Sequence, residues 1–89
     1  MNWQDVDLEE CKETLLKFFK NRGNNWVFMK ELEVILQVSF YLSRGQKISK
    51  YMIHRIINTL TVNYIAESIN RKPFLAHRKI SRIHQWRIK

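Results

Sequence analysis

The stretch Ile48-Ser49-Lys50-Tyr51-Met52-Ile53-His54-Arg55-Ile56-Ile57-Asn58-Thr59-Leu60 has the clearest local pattern in the chain. Its apolar residues recur at helical spacing, which predicts one buried face. That face consists of Met52, Ile53, Ile56, Ile57 and Leu60. Ser49 is suited to be the N-cap, because its hydroxyl can accept a hydrogen bond from a free N–H group of the first turn. We therefore predict a helix from Ser49 to about Asn63.

The opposite face of this helix carries polar residues whose chemistry suits a nucleic-acid contact. They are Lys50, Tyr51, His54, Arg55 and Asn58, with Ser49 at the cap. Lysine and arginine donate to guanine edges or phosphates, asparagine can pair with adenine, and hydroxyl groups bond phosphate oxygens. The alternative is an ordinary solvated helix face. A solvated face usually mixes charges of both signs, however, and this one contains no acid.

Charge is distributed unevenly along the 89 residues. Residues 1–43 hold five basic and seven acidic side chains, whereas residues 44–89 hold eleven basic side chains and a single acid, Glu67. The net charge of +8 therefore comes from the second part of the chain. A domain polarised in this way concentrates and orients polyanions. A basic surface that only aids solubility is the alternative, but solubility does not require acids to be almost absent from half a chain.

Before the quoted stretch, the sequence predicts two helices and a short strand. Asp7 is a suitable N-cap for a first helix, which Gly23 and the following asparagines end. The bulky run 26–28 favours a strand of a few residues. A second helix is predicted from Met29 to about Val38. Residues 38–42 fit either an extension of that helix or an extended connection, and residues 43–47 have the composition of a turn.

After the quoted stretch, the alternation of residues 64–69 and 83–88 predicts two strands. Between them lies a basic stretch, 74–82, which reads as a hairpin arm or a loose tip. Phe74 and Leu75 in this stretch are expected to pack on the core, in preference to entering a base step as a wedge. Five aromatic residues are expected to face inward: Phe18, Phe19, Trp26, Phe28 and Trp86.

The order helix, short strand, helix, helix, strand, basic loop, strand resembles the winged helix-turn-helix superfamily, from about Leu8 to Lys89. The resemblance implies a single α+β domain, residues 1–89, with three helices and a small antiparallel sheet. It also implies that the helix after Ser49 enters a DNA major groove. The 70–82 loop would be a wing on the backbone or in the minor groove, through Arg71, Lys72, His77, Arg78, Lys79 and Arg82. The ten residues 38–47 depart from the family, in which this turn is short.

Size and motifs argue against several other classes of protein. A chain of 10.9 kDa has no room for a second core or a large cleft. Cys11 has no second cysteine to pair with, and with His54, His77 and His84 it forms no zinc-ligand spacing. No phosphate loop or nucleophile motif is present. We expect no enzyme activity, metal, cofactor or small-molecule ligand. Without an apolar run of membrane length or a signal-peptide pattern, we expect a cytoplasmic, nucleoid-associated or nuclear protein that is not secreted.

The sequence thus predicts a protein that binds double-stranded DNA with sequence specificity, as a small transcriptional regulator or replication factor. One alternative is a winged-helix interaction module for an acidic protein. Another is a binder of structured RNA, although no exposed pair of aromatic residues on a strand suggests base stacking. A homodimer would place DNA half-sites about one helical turn apart. Trp3 beside residues 40–42 would suit such self-association, unless the N-terminal arm packs on the core.

Overall fold

The computed structural model describes residues 2–61 and 73–89. After a single 3-10 turn, Trp3–Asp5, helix α1 spans Leu8–Asn21. The predicted N-cap is confirmed, because the Asp7 carboxylate accepts hydrogen bonds from the backbone N–H groups of Glu9 and Glu10, at 3.0 and 3.2 Å. Gly23 follows the helix with a φ of +72°, a left-handed conformation that glycine adopts without strain. Both ends of α1 therefore lie where the sequence predicts them.

The second helix is longer than predicted. Strand β1 is Val27–Phe28, and helix α2 follows it directly as Met29–Arg44. Residues 38–42 extend the helix because Phe40 continues the buried row begun by Leu32 and Leu36 at intervals of four residues. Gly45, with a φ of +64°, ends the helix and donates its N–H group to the Tyr41 carbonyl at 2.8 Å. Residues 43 and 44 therefore belong to the helix, and the connection begins at Gly45, two residues later than the predicted turn 43–47.

Helix α3 spans Lys50–Leu60, and its cap and buried face are those predicted. The Ser49 hydroxyl accepts a hydrogen bond from the Met52 N–H group at 3.2 Å. All five residues of the predicted inner face are buried. The helix ends three residues earlier than Asn63, because Thr61 takes an extended conformation and forms an isolated bridge with Leu75. The predicted strand 64–69 lies outside the described residues.

The described part of the chain contains one three-stranded antiparallel sheet in the order β1-β3-β2. Strand β2 is Leu75–Ile80 and strand β3 is Ile83–Ile88, with Ser81 and Arg82 as the turn between them. The strand predicted at 83–88 is confirmed. The prediction of a loop over residues 70–82 is wrong for residues 75–80. These residues form a strand, so their side chains alternate between the two faces of the sheet. This part of the basic stretch is therefore a hairpin arm.

The core lies where the three helices pack on one face of the sheet. Val27, Leu75 and Trp86 from that face are buried with apolar residues of α1, α2 and α3. Leu75 is completely buried and Phe74 packs beside it, so the prediction that these residues anchor the hairpin is confirmed. The prediction that Phe28 faces inward is wrong, because this residue is 49% exposed. In the described residues, no helix has the length and apolar character to span a membrane.

Candidate nucleic-acid interface

Helix α3 presents a polar surface to solvent, as its periodicity predicts. Lys50 and Tyr51 are exposed, and Tyr51 retains 73% of its accessible surface. Asn58 is half-buried on the same face. Ser49 is engaged as the N-cap, so its hydroxyl already holds the first turn of the helix. The exposed end of α3 is therefore its N-terminal turn, where unpaired N–H groups also favour an anion.

An acidic side chain from α2 reaches the polar surface of α3. Glu33 Oε1 lies 2.6 Å from His54 Nε2. The sequence of α3 contains no acid, but the fold brings this carboxylate to one border of its polar face. His54 is consequently tied to α2, and the cationic part of the face lies with Lys50 and Arg55.

Arg55 is held by an aromatic ring at the other border of the face. Its guanidinium carbon lies 4.1 Å from the centre of the Trp3 ring, a distance suited to a cation–π contact. Trp3 is partly buried and packs against the core. Of the two alternatives for this residue, packing of the N-terminal arm on the core is therefore correct, and exposure on a self-association surface is wrong. Within residues 2–61 and 73–89, Arg55 makes no salt bridge.

The strand register divides the predicted wing residues between two faces of the hairpin. His77 pairs with Trp86 and Lys79 with His84, on the face that turns toward the helices. Arg78 pairs with Gln85 on the opposite face. Arg82 is exposed in the turn. Arg71 and Lys72 lie outside the described residues, so the structure places four of the six predicted wing residues.

His77 and His84 form a stacked pair on the helix-facing side of the hairpin. Their rings are 5.0 Å apart, with His77 Nε2 2.8 Å from His84 Nδ1, and the His77 ring also lies 4.8 Å from that of Trp86. Burial lowers the pKa of His77, and the neighbouring His84 and Lys79 lower it further. A hydrogen bond between the two ring nitrogens needs one of them to accept, which a neutral His77 ring can do.

On the opposite side of the sheet, two arginines share one tryptophan. The guanidinium carbons of Arg78 and Arg87 lie 4.4 and 4.6 Å from the centre of the Trp26 ring. Trp26 was predicted to face inward, but it lies on this outer surface, half-buried beneath the two cations. Arg87 was not among the predicted site residues. The alternation of β3 could have identified it, because an inward Trp86 requires an outward Arg87.

A small set of contacts joins the end of α3 to the hairpin. The Trp86 indole N–H donates to the Thr61 hydroxyl at 3.1 Å, and that hydroxyl in turn donates to the Ile57 carbonyl. The Phe74 N–H group donates to the Leu60 carbonyl at 3.0 Å, immediately before β2 begins. The two basic segments, distant in sequence, are thus fixed relative to one another at the C-terminal end of α3.

The structure also bears on metal and thiol chemistry. Within residues 2–61 and 73–89, no cluster of three or more His, Cys, Asp or Glu residues could hold a metal ion. Cys11 is buried, and this burial, with the nearby Glu10 and Asp7 carboxylates, raises the pKa of its thiol to about 12. A thiol with this pKa stays protonated at neutral pH and is a poor nucleophile.

Helix α2 carries an uncharged, exposed stripe. Val34, Val38 and Leu42 succeed one another at intervals of four residues, with Tyr41 beside them, and Leu42 is 78% exposed. The helix contains no charged residue between Glu33 and Arg44. Shallow grooves run along both sides of this row, one of them between α1 and α2 and lined by Thr14, Ile35 and Ser39.

No protein-family model matches the chain, and comparisons with curated proteins and with solved structures found no significant match.

Proposed function

We propose that this protein is a winged-helix protein that binds double-stranded DNA, with α3 in the major groove and the β2–β3 hairpin as the wing. The observation that carries the proposal is the state of Arg55. Trp3 holds its guanidinium group, while no carboxylate in the described residues neutralises it. Arg55 is therefore fixed in position with its charge available to an external anion.

The dimensions and charge of α3 support this proposal. Its eleven residues extend about 16 Å, and a B-form major groove, about 12 Å wide, admits one helix. Lys50 and Tyr51 at its exposed end would contact bases or phosphates together with Arg55. Lys79 and Arg82, near the tip of the hairpin, would contact the phosphate backbone. We propose no catalytic step, and the protein would act by occupying DNA, as a small transcriptional regulator.

Duplex binding in rising salt tests the proposal. A 20-base-pair duplex should bind at low salt, and its affinity should fall steeply as salt displaces the phosphate contacts. Lys79→Ala should weaken all duplex sequences equally and reduce the slope of log K against log salt by about one. Lys17→Ala, which removes the same charge from the exposed side of α1, is the matched control and should leave the slope unchanged. Absence of duplex binding even at low salt would refute the proposal.

We also propose that two copies associate through the α2 stripe, so that two recognition helices meet one DNA. The Val34, Val38 and Leu42 row is a ridge, and the groove between α1 and α2 runs beside it. A ridge and a groove on one uncharged surface are what a two-fold helix contact needs, since each copy's ridge enters the other's groove. Each molecule carries a net charge of +8, so contact through a neutral surface limits the repulsion between two copies.

Sedimentation equilibrium tests the association. The wild-type protein should be dimeric at micromolar concentration, and Leu42→Glu should make it monomeric because it places a charge in the contact. Tyr51→Glu, which adds the same charge at an equally exposed position on α3, is the control and should stay dimeric. A monomeric wild-type protein, or a dimer unaffected by Leu42→Glu, would contradict this arrangement.

A further inference from the structure

The side of the sheet that faces away from the helices carries aromatic and cationic groups together. We call this surface the outer sheet face. It consists of Trp26, Phe28, Arg78, Ile80, Ile83, Gln85 and Arg87. The register places Phe28 opposite Gln85, and Gln85 opposite Arg78, so these side chains form one row across the three strands. Arg87 lies two residues further along β3, about 6.7 Å from that row.

The two arginines of this face are fixed in position. Both guanidinium groups lie over Trp26, and Arg78 Nε also donates to Gln85 Oε1 at 2.8 Å. Neither makes a salt bridge in the described part of the chain. The acid at the edge of this face, Glu31, accepts a hydrogen bond from the Phe28 N–H group and is paired with Arg22. A guanidinium group held over an aromatic ring still has N–H donors for a phosphate and a planar surface for a base.

Exposed apolar groups lie on the same face of the sheet as these cations. Phe28 is 49% exposed, and Ile80 and Ile83 are each about half exposed at the hairpin end of the same face. Gln85 lies between Phe28 and Arg78 in the row, so the ring and the cations are spaced across the three strands. Aromatic rings and arginines without acidic partners on one surface are the combination by which proteins bind unpaired nucleotides. The bases stack on the rings and guanidinium planes, while the positive charge follows the backbone.

We propose that the outer sheet face binds single-stranded nucleic acid. This inference goes beyond the duplex contact proposed for α3 and the hairpin tip, because Arg78 and Arg87 lie on the sheet side opposite the helices. A base-paired duplex has its bases stacked inside and offers an aromatic side chain little to stack upon. An acidic peptide would match the positive charge, but it would gain little from the Phe28 ring. Unpaired nucleotides use both features.

The test measures fluorescence anisotropy with three labelled probes: a 12-nucleotide oligothymidylate, a 12-nucleotide oligouridylate and a 12-base-pair DNA duplex. Arg78→Gln/Arg87→Gln should weaken binding of the single strands at least tenfold, and that of the duplex less than about threefold. Lys17→Gln/Lys20→Gln removes the same charge from the exposed side of α1 and should change neither by more than about twofold. The oligothymidylate and oligouridylate arms show whether the face prefers DNA or RNA.

Two further variants make the result specific. Phe28→Leu keeps an apolar side chain but removes the ring, and it should weaken single-strand binding roughly fivefold or more. Lys50→Gln/Arg55→Gln should show the opposite pattern, with duplex binding reduced and single-strand binding retained. Single-strand binding without any duplex binding would leave this inference standing while refuting the proposed function. Thermal unfolding within a few degrees of wild type verifies that each variant is folded.

Three outcomes would overturn the inference. The first is single-strand binding that survives Arg78→Gln/Arg87→Gln. The second is a loss of duplex binding equal to the loss of single-strand binding in that variant, which would assign the outer sheet face to the duplex contact. The third is a poly-glutamate peptide that displaces the oligothymidylate at equal charge concentration and is unaffected by Phe28→Leu, which would show a surface selected by charge alone.

Discussion

The arginines of the α1–α2 pair have carboxylate partners, whereas those of α3 and the hairpin are held by tryptophan rings without a salt bridge in the described residues. Arg22 and Arg44 lie at the ends of α1 and α2, and each meets a carboxylate, Glu31 at 2.8 Å and Glu10 at 3.4 Å. Each also lies over a phenylalanine ring, Phe18 at 5.6 Å and Phe40 at 5.9 Å, so the carboxylate is what distinguishes them. Arg55, Arg78 and Arg87 stack on tryptophans at 4.1 to 4.6 Å. A carboxylate neutralises a guanidinium group, whereas an aromatic ring positions it and leaves its charge available. The location of uncompensated charge is thus set by pairing as well as by composition.

The largest expected effect distinguishes Arg55 from the two arginines that have carboxylate partners. Arg55→Ala should weaken duplex binding by about tenfold or more, since a contact from a recognition helix contributes about 1–3 kcal/mol. Arg22→Ala and Arg44→Ala should change duplex affinity less than twofold, although each removes the same charge. Anisotropy titrations at one salt concentration measure all three. Equal losses in the three variants would remove the distinction between the two kinds of arginine.

The next largest effect is on stability, and it tests the hydrogen bond by which Trp86 of the hairpin is attached to the end of α3. Thr61→Val leaves the buried Trp86 indole N–H without its acceptor, which should cost about 1–3 kcal/mol of unfolding free energy. Thr59→Val is the matched control. Its hydroxyl donates to the Arg55 carbonyl within the same helix and to no other group of residues 2–61 and 73–89, so its loss should cost much less. Urea denaturation gives both values. If Thr59→Val lowers the free energy of unfolding as much as Thr61→Val does, the hydrogen bond with Trp86 does not stabilise the contact between α3 and the hairpin.

The helices could be predicted from the sequence because their signals are local. Ser49 and Asp7 cap their helices, and the buried face of α3 follows from residue spacing alone. The length of α2 was open, since whether Phe40 reaches the core depends on what packs against it. Sequence therefore determined which face of a helix is polar, and it left the extent of one helix to tertiary packing.

The pairings at the candidate site could not be predicted in the same way. Glu33 meets His54 across 21 positions, and Trp26 meets Arg78 and Arg87 across more than fifty. The local pattern around β1 did not show which face of the sheet Trp26 and Phe28 would lie on. The register of β1 with β3 decides this, and register depends on the whole sheet.

A smaller effect concerns pH at the hairpin. The pKa of His77 is lowered in the folded protein, so the unfolded chain takes up this proton at higher pH. The stability that comes from a neutral His77 is complete above the ordinary pKa of 6.5 and declines as pH falls through that value. Thermal unfolding at about pH 7.5 and about pH 5 should therefore show a larger decrease for wild type than for His77→Gln. An equal decrease in both proteins would contradict this assignment.

The smallest expected effect separates the two kinds of arginine by stability alone. Arg22→Ala removes an exposed salt bridge and should cost about 0.5 kcal/mol in low salt, a cost that shrinks in about 1 M salt because the charges are screened. Arg87→Ala removes a contact with a neutral ring and should cost about 0.5–1 kcal/mol, with little change in high salt because dispersion contributes to the stacking. Urea denaturation at both salt concentrations measures the difference. If both costs shrink alike, Arg87 is held by charge in the same way as Arg22, and its guanidinium group is less available to a phosphate.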